Sequence, residues 1–282
     1  MGIELFSLIL LGGAACAGML GALTGLGGGV VIIPLLTLGF GVDMRFAIGT
    51  ALVTSIATSS GAASAYIRDG ITNVRIGIFL EIATASGAVA GALIAMYMPT
   101  NIIAVIFACV LIFSAIMTVR KKSGQAVSAG DAESRLAEKL KLNGSYFNPE
   151  TKKTEHYTVR HVVGGYSLMT FAGVLSGLLG IGSGALKVLS MDMVMKIPFR
   201  VSTTTSNFMV GVTAAASAVI YLQRGYIDPG LAMPVVAGVL AGAFLGSKIL
   251  MRTNVKTLRW IFSALIFFLA LQMMYNGITG KL

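Results

Sequence analysis

The chain has 282 residues, of which 56% are hydrophobic and only 11% are charged. Soluble domains carry about a quarter charged residues, so this composition excludes an ordinary soluble protein and predicts a polytopic membrane protein. The formal net charge of +10 lies largely in one polar segment, and we interpret it as topology rather than as nucleic-acid binding. The two histidines and two cysteines show no metal-ligand or redox spacing, so neither a metal nor another cofactor is expected.

Residues 1–119 form the first of two predicted transmembrane halves. Its five hydrophobic elements cover 3–24, 29–41, 46–67, 74–98 and 101–119. All but the short second element approach the roughly 20 residues that a bilayer crossing needs. The first element lacks a basic n-region, so we interpret it as a membrane helix rather than a signal peptide. Cys16 and Cys109 lie in these apolar runs and are expected to be buried.

A polar linker follows at residues 120–160 and holds nine lysines and arginines against five acidic residues. Because positive residues that flank membrane spans mark the cytoplasmic side, we expect this linker in the cytoplasm. Within it, "DAESRLAEKLKL" predicts a short amphipathic helix. The text "SYFNPETKKTEHYTV" predicts a β-hairpin around Asn148 and Pro149.

The second half, residues 161–282, repeats the first. Its predicted elements are 161–179, 184–196, 201–223, 229–251 and 256–276. A shift of 155 residues aligns the two halves without a gap over about a hundred positions. Polar residues that then coincide include Arg45 with Arg200, Thr50 with Thr205 and Tyr66 with Tyr221. A composition rich in glycine and alanine does not by itself produce these matches.

An odd number of crossings gives the two halves opposite orientations, which is the inverted repeat common in secondary transporters. If each short element instead pairs with its predecessor as a re-entrant hairpin, three crossings remain per half and the inversion survives. The predicted fold is therefore all-α, with two inverted repeats. Each repeat has five hydrophobic elements, one of them a glycine-broken or re-entrant short helix.

A glycine-rich motif precedes each short element: "GLGGG" at 25–29 in the first half and its copy "GIGSG" at 180–184 in the second. Where a short helix begins, N–H groups lack an intrahelical acceptor and lie at the positive end of the helix dipole. Glycine also lets a ligand approach the backbone closely, so we expect the two breaks to meet near the midplane and bind a small anion. The candidate binding residues are Gly25, Gly27, Gly28, Gly29, Gly180, Gly182, Ser183 and Gly184.

Helix packing is the alternative interpretation of a glycine cluster, since small residues let membrane helices approach. We apply it to "SGAVAGAL" at 86–93 and to "AGVLAGAFLG" at 237–246. A hydroxyl-rich segment also follows each short element. In these two segments the best candidates for binding the oxygens of an anion are Thr50, Thr205 and Asn207. Interhelical hydrogen bonding is the alternative for these residues.

Charged residues at membrane depth are rare and therefore informative. Lys187, inside the second short element, either supplies positive charge to a substrate or pairs with Asp192. Glu81 either carries a coupling proton or is an interfacial residue. Arg45 and Arg200 precede the hydroxyl-rich elements in both halves, where they either attract anions at the two mouths or anchor helix ends.

The two-half layout, the basic linker and the paired motifs resemble the TauE/SafE sulfite exporter family. The text that carries the resemblance is "GALTGLGGGVVIIPLL", "GLLGIGSGALKV" and "AIGTALVTSIATS". The second copy departs from the first, with Ser183 in place of Gly28 and Lys187 in place of Ile32. Membership implies transport of sulfite, a sulfonate or a related organic anion across the lipid bilayer of a prokaryotic inner membrane.

The sequence thus predicts a secondary transporter that moves a small anion by alternating access, driven by protons or by the membrane potential. An anion channel is the nearest alternative, and a membrane-embedded enzyme is another. The enzyme lacks support because the few acidic, histidine and cysteine residues form no nucleophile–base or metal constellation. A homodimer is left open.

Overall fold

The computed structural model describes residues 3–24, 29–68, 72–120, 135–148, 153–250 and 255–280. The first half contains α1 (Ile3–Thr24), α2 (Gly29–Pro34), α3 (Met44–Arg68), α4 (Val74–Tyr97) and α5 (Thr100–Arg120). The linker contains α6 (Arg135–Lys139), β1 (Gly144–Asn148) and β2 (Lys153–Tyr157). The second half contains α7 (Val162–Leu179), α8 (Gly184–Leu189), α9 (Phe199–Gln223), α10 (Pro229–Leu250) and α11 (Val255–Thr279). The predicted all-α fold is confirmed.

Each short helix continues into one π-helical turn. The turn covers Leu35–Gly39 after α2 and Ser190–Val194 after α8. A π-helical turn widens the helix locally and occurs often at functional sites. Together the α and π segments make each short element about half as long as the roughly 20 residues that a crossing needs, as the short hydrophobic stretches in the sequence predict.

The outer surface of the helices is apolar. Ile82, Phe171 and Phe244 are more than half exposed, although an aqueous surface would disfavour such side chains. Among the described residues, α4, α7 and α9 are long and apolar enough to cross a membrane. The expectation that Cys16 and Cys109 are buried is wrong: both are exposed. An apolar run in a membrane helix identifies the span but not which of its faces meets lipid.

The two halves repeat one another element by element. The helices α1 and α7 end 155 residues apart, and the starting residues of four further equivalent pairs of elements also lie 155 residues apart. They are Gly29 and Gly184 for α2 and α8, Met44 and Phe199 for α3 and α9, Val74 and Pro229 for α4 and α10, and Thr100 and Val255 for α5 and α11. The repeat detected in the sequence is thus a repeat of structure.

Helices are exchanged between the halves at two equivalent crossings, because α1 packs on α10 and α4 packs on α7. At the first crossing, a Cβ at Gly242 would overlap the carbonyl of Ala15. At the second, a Cβ at Gly87 would overlap the carbonyl of Thr170. Both pairs are again 155 residues apart, so the predicted packing role of these glycine clusters is confirmed.

The equivalent helices α3 and α9 run antiparallel through the centre. Near the start of α3, Arg45 Nη1 donates to Tyr226 Oη, just beyond the end of α9, at 3.3 Å. Near the start of α9, Thr205 Oγ1 accepts from the backbone N–H of Asn73, just beyond the end of α3, at 3.2 Å. We call these two ends of the helix bundle the Arg45 rim and the linker rim.

The linker folds onto the linker rim. Its strands pair antiparallel, with Gly144 opposite Tyr157 and Asn148 opposite Lys153, which confirms the predicted hairpin. The connection at 149–152 lies outside the described residues, as do 131–134 before α6. Tyr157 Oη accepts from Asn73 Nδ2 at 2.7 Å, and Asn73 Oδ1 also caps α4 through the N–H of Ile76. The hairpin is therefore tied directly to the first turn of α4.

Adding a methyl group at the glycines of the two crossings tests this close approach. Gly87→Ala and Gly242→Ala are each expected to lower the free energy of unfolding by about 1–3 kcal/mol, because the new Cβ meets backbone. Gly12→Ala is the matched control, since a Cβ at Gly12 meets open space. Thermal unfolding in detergent micelles measures the difference, and equal midpoints for all three variants would contradict the packing role.

Candidate functional site

The second glycine-rich break ends α7 and begins α8 with three residues in the left-handed region. The φ angles are +69° at Gly180, +65° at Gly182 and +43° at Ser183. Glycine adopts such angles without a steric penalty, whereas serine adopts them rarely. The local sequence therefore forces the chain out of one helix and into the next. In the first break, Gly25, Gly27 and Gly28 lie outside the described residues, and α2 begins at Gly29.

The two breaks adjoin one another. A Cβ at Gly29 would lie 3.4 Å from the carbonyl oxygen of Gly180 and 3.2 Å from Ser55 Oγ. A Cβ at Gly180 would lie 2.7 Å from the side chain of Ile48 on α3. The absence of side chains at Gly29 and Gly180 thus lets the start of α2, the second break and α3 come together at one place.

A small cavity of about 20 Å³ lies beside the junction. Its lining comes from α2, α5 and the second break: Val30, Val110, Leu111, Phe113, Ser114, Ile181, Ser183, Gly184 and Leu186. Ser183 is 4% exposed, and its Oγ has no hydrogen-bond partner within the described parts of the chain. A cavity of this size admits one water molecule but no oxyanion.

The predicted hydroxyl residues do not all lie at the junction. Thr50 is fully buried, and its Oγ1 has no partner among the described residues. Thr205 lies at the linker rim, where it accepts from Asn73. Its neighbour Ser206 is the residue that contacts the second short helix, through a 3.1 Å hydrogen bond to the carbonyl of Gly184. The equivalent residues are also neighbours in the first half, because Ser206 is equivalent to Ala51, and Ala51 lies beside Gly29 at the start of α2.

Asn207 takes part through its backbone. Its carbonyl accepts a short hydrogen bond from Ser59 Oγ, which in turn accepts from the N–H of Gly211 at 2.9 Å. Ser59 of α3 is therefore inserted into the hydrogen-bond ladder of α9. Neither Ser59 nor Gly211 was among the predicted site residues, because nothing in the sequence says which face of α3 meets α9.

Lys187 and Glu81 are joined through a third residue. Lys187 is fully buried, and its Nζ donates to Thr213 Oγ1 at 2.5 Å. Thr213 Oγ1 donates to Glu81 Oε1 at 2.6 Å, while Glu81 is 7% exposed. We call this set the Lys187–Thr213–Glu81 relay. It joins α8 and α9 of the second half to α4 of the first.

The sequence suggested Asp192 as a partner of Lys187, whereas the structure makes Glu81 the carboxylate whose charge acts on it. Asp192 lies half-buried in the π-helical turn after α8. Thr213 is the functional residue that the sequence left unassigned. The sequence feature that points to Thr213 is Thr58, its equivalent in the first half, because both halves have a threonine at this position.

The relay has no counterpart at the equivalent positions of the repeat. The positions equivalent to Lys187, Thr213 and Glu81 hold Ile32, Thr58 and Val236. Ile32 is fully buried, so an apolar side chain packs at the place that Lys187 occupies in the other half. The repeat of the fold is therefore not accompanied by a repeat of the charges.

The two predicted mouth arginines differ in their surroundings. Arg45 Nη2 donates to the carbonyls of Met98 at 2.9 Å and of Met96 at 3.4 Å. Its guanidinium also lies 5.6 Å from the ring centroid of Tyr226. These contacts tie the start of α3 to the end of α4 and favour the anchoring alternative for Arg45. Arg200 is exposed at the linker rim.

Long helices with apolar outer faces, exchanged between two repeated halves around paired breaks, are the architecture of a multi-pass membrane transporter. The chain belongs to the TauE/SafE sulfite exporter family, whose sequence model matches residues 10–273. The predicted family, membrane association and transporter class are therefore confirmed.

Relatives from Bacillus subtilis extend the match over nearly the whole chain. The probable membrane transporter protein YunE is 27% identical over 270 residues, which cover 93% of this chain and 95% of YunE. The probable membrane transporter protein YdhB is 28% identical over 224 residues, covering 79% of this chain and 82% of YdhB. The probable membrane transporter protein MamO of Paramagnetospirillum magneticum is 22% identical across 96% of this chain but only 44% of MamO. No solved structure matches the chain.

Removing one charge of the relay is expected to destabilise the protein more than removing both. Lys187→Ile leaves the Glu81 carboxylate buried without its cation, which typically costs about 3–5 kcal/mol. The double variant Lys187→Ile with Glu81→Val carries the residues of positions 32 and 236 and is expected to recover most of that loss. Unfolding in micelles at neutral pH measures both, and a double variant less stable than the single one would refute the coupling.

Proposed function

We propose that the protein is a secondary transporter that moves a small anion, sulfite or an organosulfonate, across a prokaryotic inner membrane by alternating access. The observation that carries the proposal is the meeting of the two breaks, with Gly29 beside the carbonyl of Gly180. Each half contributes one interrupted helix to this junction. A junction built equally from two repeats is the arrangement in which rocking one repeat against the other exposes a fixed site to either side.

In this proposal residues 1–119 and 161–282 are inverted repeats, and linker 120–160 is cytoplasmic. The antiparallel course of α3 and α9 supports the inversion, because equivalent helices then start on opposite rims. The basic composition of the linker supports its cytoplasmic location. The linker rim thus faces the cytoplasm and the Arg45 rim faces the opposite side.

The chemistry of the junction suits an oxyanion. The first N–H groups of α2 and α8 lack intrahelical acceptors, and each short element directs the positive end of its dipole towards the breaks. The hydroxyls of Ser183 and Thr50 are buried and unpartnered in the described structure, so they are available as donors. Lys187, one turn into α8, adds a full positive charge to the same short helix.

The small cavity of about 20 Å³ sets a condition on transport. An oxyanion needs more room than one water molecule, so the junction has to widen before the anion binds. A site that is closed in one conformation and open in another is compatible with alternating access.

Flux into proteoliposomes tests the substrate and the site together. Saturable uptake of labelled sulfite or methanesulfonate is expected for the unmodified protein, and non-saturable uptake would indicate a channel. Ser183→Ala is expected to weaken anion affinity about tenfold, since a hydrogen bond to a charged group is worth about 1.5–3 kcal/mol. Gly182→Leu is expected to abolish uptake, because the residue sits at a φ of +65°.

Gly12→Leu is the control for Gly182→Leu, since position 12 is exposed and open. Uptake of neither anion by the unmodified protein would refute the substrate class. Unchanged affinity in Ser183→Ala together with normal uptake in Gly182→Leu would refute the assignment of the junction as the site.

Cysteine labelling tests the inversion. In a background without Cys16 and Cys109, Gly41→Cys and Lys196→Cys place thiols at equivalent exposed positions before α3 and α9. In intact cells a membrane-impermeant maleimide is expected to label position 41 and to leave position 196 unlabelled until the cells are opened. Labelling of both positions from the same side would rule out inverted repeats.

A further inference from the structure

We propose that the Lys187–Thr213–Glu81 relay is the site of proton coupling, at which a proton on Glu81 frees Lys187 to hold the transported anion. One proton and one anion then cross the membrane together. This inference rests on the proposed function, and it specifies what drives transport and which residues link the two ions.

The fold does not require the relay's charges. Ionisable residues at membrane depth are costly and are retained mainly where they work. The equivalent place in the first half is filled by Ile32, which is fully buried, with Val236 at the position equivalent to Glu81. Because an apolar side chain fills the position in the first half that is equivalent to Lys187, packing alone does not explain a buried lysine in the second half.

The relay connects the two parts of the molecule that alternating access would move. Lys187 belongs to the short helix that begins at the second break, and its N–H donates to the carbonyl of Ser183 at 3.1 Å. Glu81 belongs to α4 of the first half, which packs on α7 and α9 of the second. A lysine side chain has a flexible four-carbon stem, so its ammonium group can change partner while the helix stays in place.

Thr213 transmits the protonation state of Glu81. Its hydroxyl carries one proton, and three acceptors lie within reach: Glu81 Oε1 at 2.6 Å, the carbonyl of Met209 at 2.9 Å and, more distant, Thr84 Oγ1 at 3.4 Å. With Glu81 ionised, the hydroxyl donates to the carboxylate and accepts from Lys187. With Glu81 protonated, the hydroxyl turns to Met209, and the electrostatic attraction that holds Lys187 towards Glu81 disappears.

Within the described parts of the chain, Lys187 is the one charged partner of Glu81. Lys187 comes from α8, while α9 contributes the hydroxyl of Thr213 and α4 itself contributes Thr84. From α7 the nearest titratable residue is Tyr166, whose ring centroid lies 5.4 Å from that of Phe79. Glu81 Oε2 is buried and has no hydrogen-bond partner among the described residues, so one carboxylate oxygen is available for a proton.

Charge balance fixes the stoichiometry for a monovalent anion. In the empty protein the Lys187 ammonium faces the Glu81 carboxylate, and their net charge is zero. On loading, one proton bonds to the carboxylate and one monoanion takes its place beside the ammonium, so the net charge is again zero. On the other side the anion and the proton leave, and the ion pair re-forms. By linkage, each ion raises the affinity for the other, which makes the transport a symport.

Proteoliposomes with an imposed pH gradient test the coupling. Methanesulfonate is the probe, with sulfite alongside, because its charge does not titrate. For one proton per anion, a gradient of one pH unit is expected to drive about tenfold accumulation on the alkaline side, with no response to a potassium diffusion potential. Counterflow, the exchange of labelled for unlabelled anion without a gradient, measures anion binding and translocation without net proton movement.

Glu81→Gln mimics the protonated carboxyl. It is expected to keep counterflow within about twofold and to lose accumulation driven by the pH gradient, because Lys187 is permanently free. Lys187→Met is expected to weaken anion affinity at least tenfold in both assays. Glu138→Gln, an exposed glutamate on α6, is the matched control and is expected to behave as the unmodified protein does.

The outcomes separate the two proposals. Gradient-driven accumulation in Glu81→Gln equal to that of the unmodified protein would overturn the relay's coupling role while leaving the transport function standing. If the unmodified protein shows counterflow but ignores the pH gradient, coupling is likewise overturned. If it transports neither anion, the proposed function itself fails. Should Glu81→Gln not fold, accumulation in the Lys187→Ile and Glu81→Val double variant would serve as the overturning result.

Discussion

Backbone polar groups inside a bilayer need partners, so a helix interrupted at membrane depth has to be enclosed by protein. This protein contains such an interruption between α7 and α8, and the rest of the fold encloses it together with the start of α2. The exchanged crossings of α1 with α10 and of α4 with α7 are close enough to exclude even a methyl group. They bring the halves together so that the interrupted backbone faces the start of α2 and α3 rather than lipid. The glycines at the breaks therefore permit the helix to be interrupted, and the glycines at the crossings permit the close packing that encloses the interruption.

The symmetry of the backbone and the asymmetry of the charges belong together. Two copies of one topology produce a junction that neither half can form alone. Lys187 replaces the isoleucine of the other copy, and its counter-charge comes from across the interface, on α4. A buried charge is tolerated only when it is paired. Here the pair joins the two halves of the protein rather than two elements of the same half. The two halves thus share one order of elements, and each contributes one charge of the pair: Glu81 comes from the first half and Lys187 from the second.

Hydropathy and internal repetition predict nearly the whole course of the chain, because they depend only on local composition and on self-similarity. They also separate packing glycines from break glycines, since density within a few residues decides whether a helix continues. Hydropathy and internal repetition do not predict which residues of the two halves are in contact. The pairing of Lys187 with Glu81 joins residues more than a hundred positions apart, and the contact of Ser206, rather than Thr205, with Gly184 depends on how α9 is rotated. The exposure of Cys16 and Cys109 depends on rotation in the same way.

Ser59 occupies a rung of the α9 ladder between Asn207 and Gly211. A helix whose ladder admits a foreign hydroxyl bends most easily at that rung, because the local hydrogen bond no longer resists it. The part of α9 before Asn207 is bonded to the linker rim through Thr205, and the part after Gly211 carries Thr213. The hydroxyl of a residue from the opposite half thus marks the point at which α9 bends most easily, between the linker rim on one side and the Lys187–Thr213–Glu81 relay on the other.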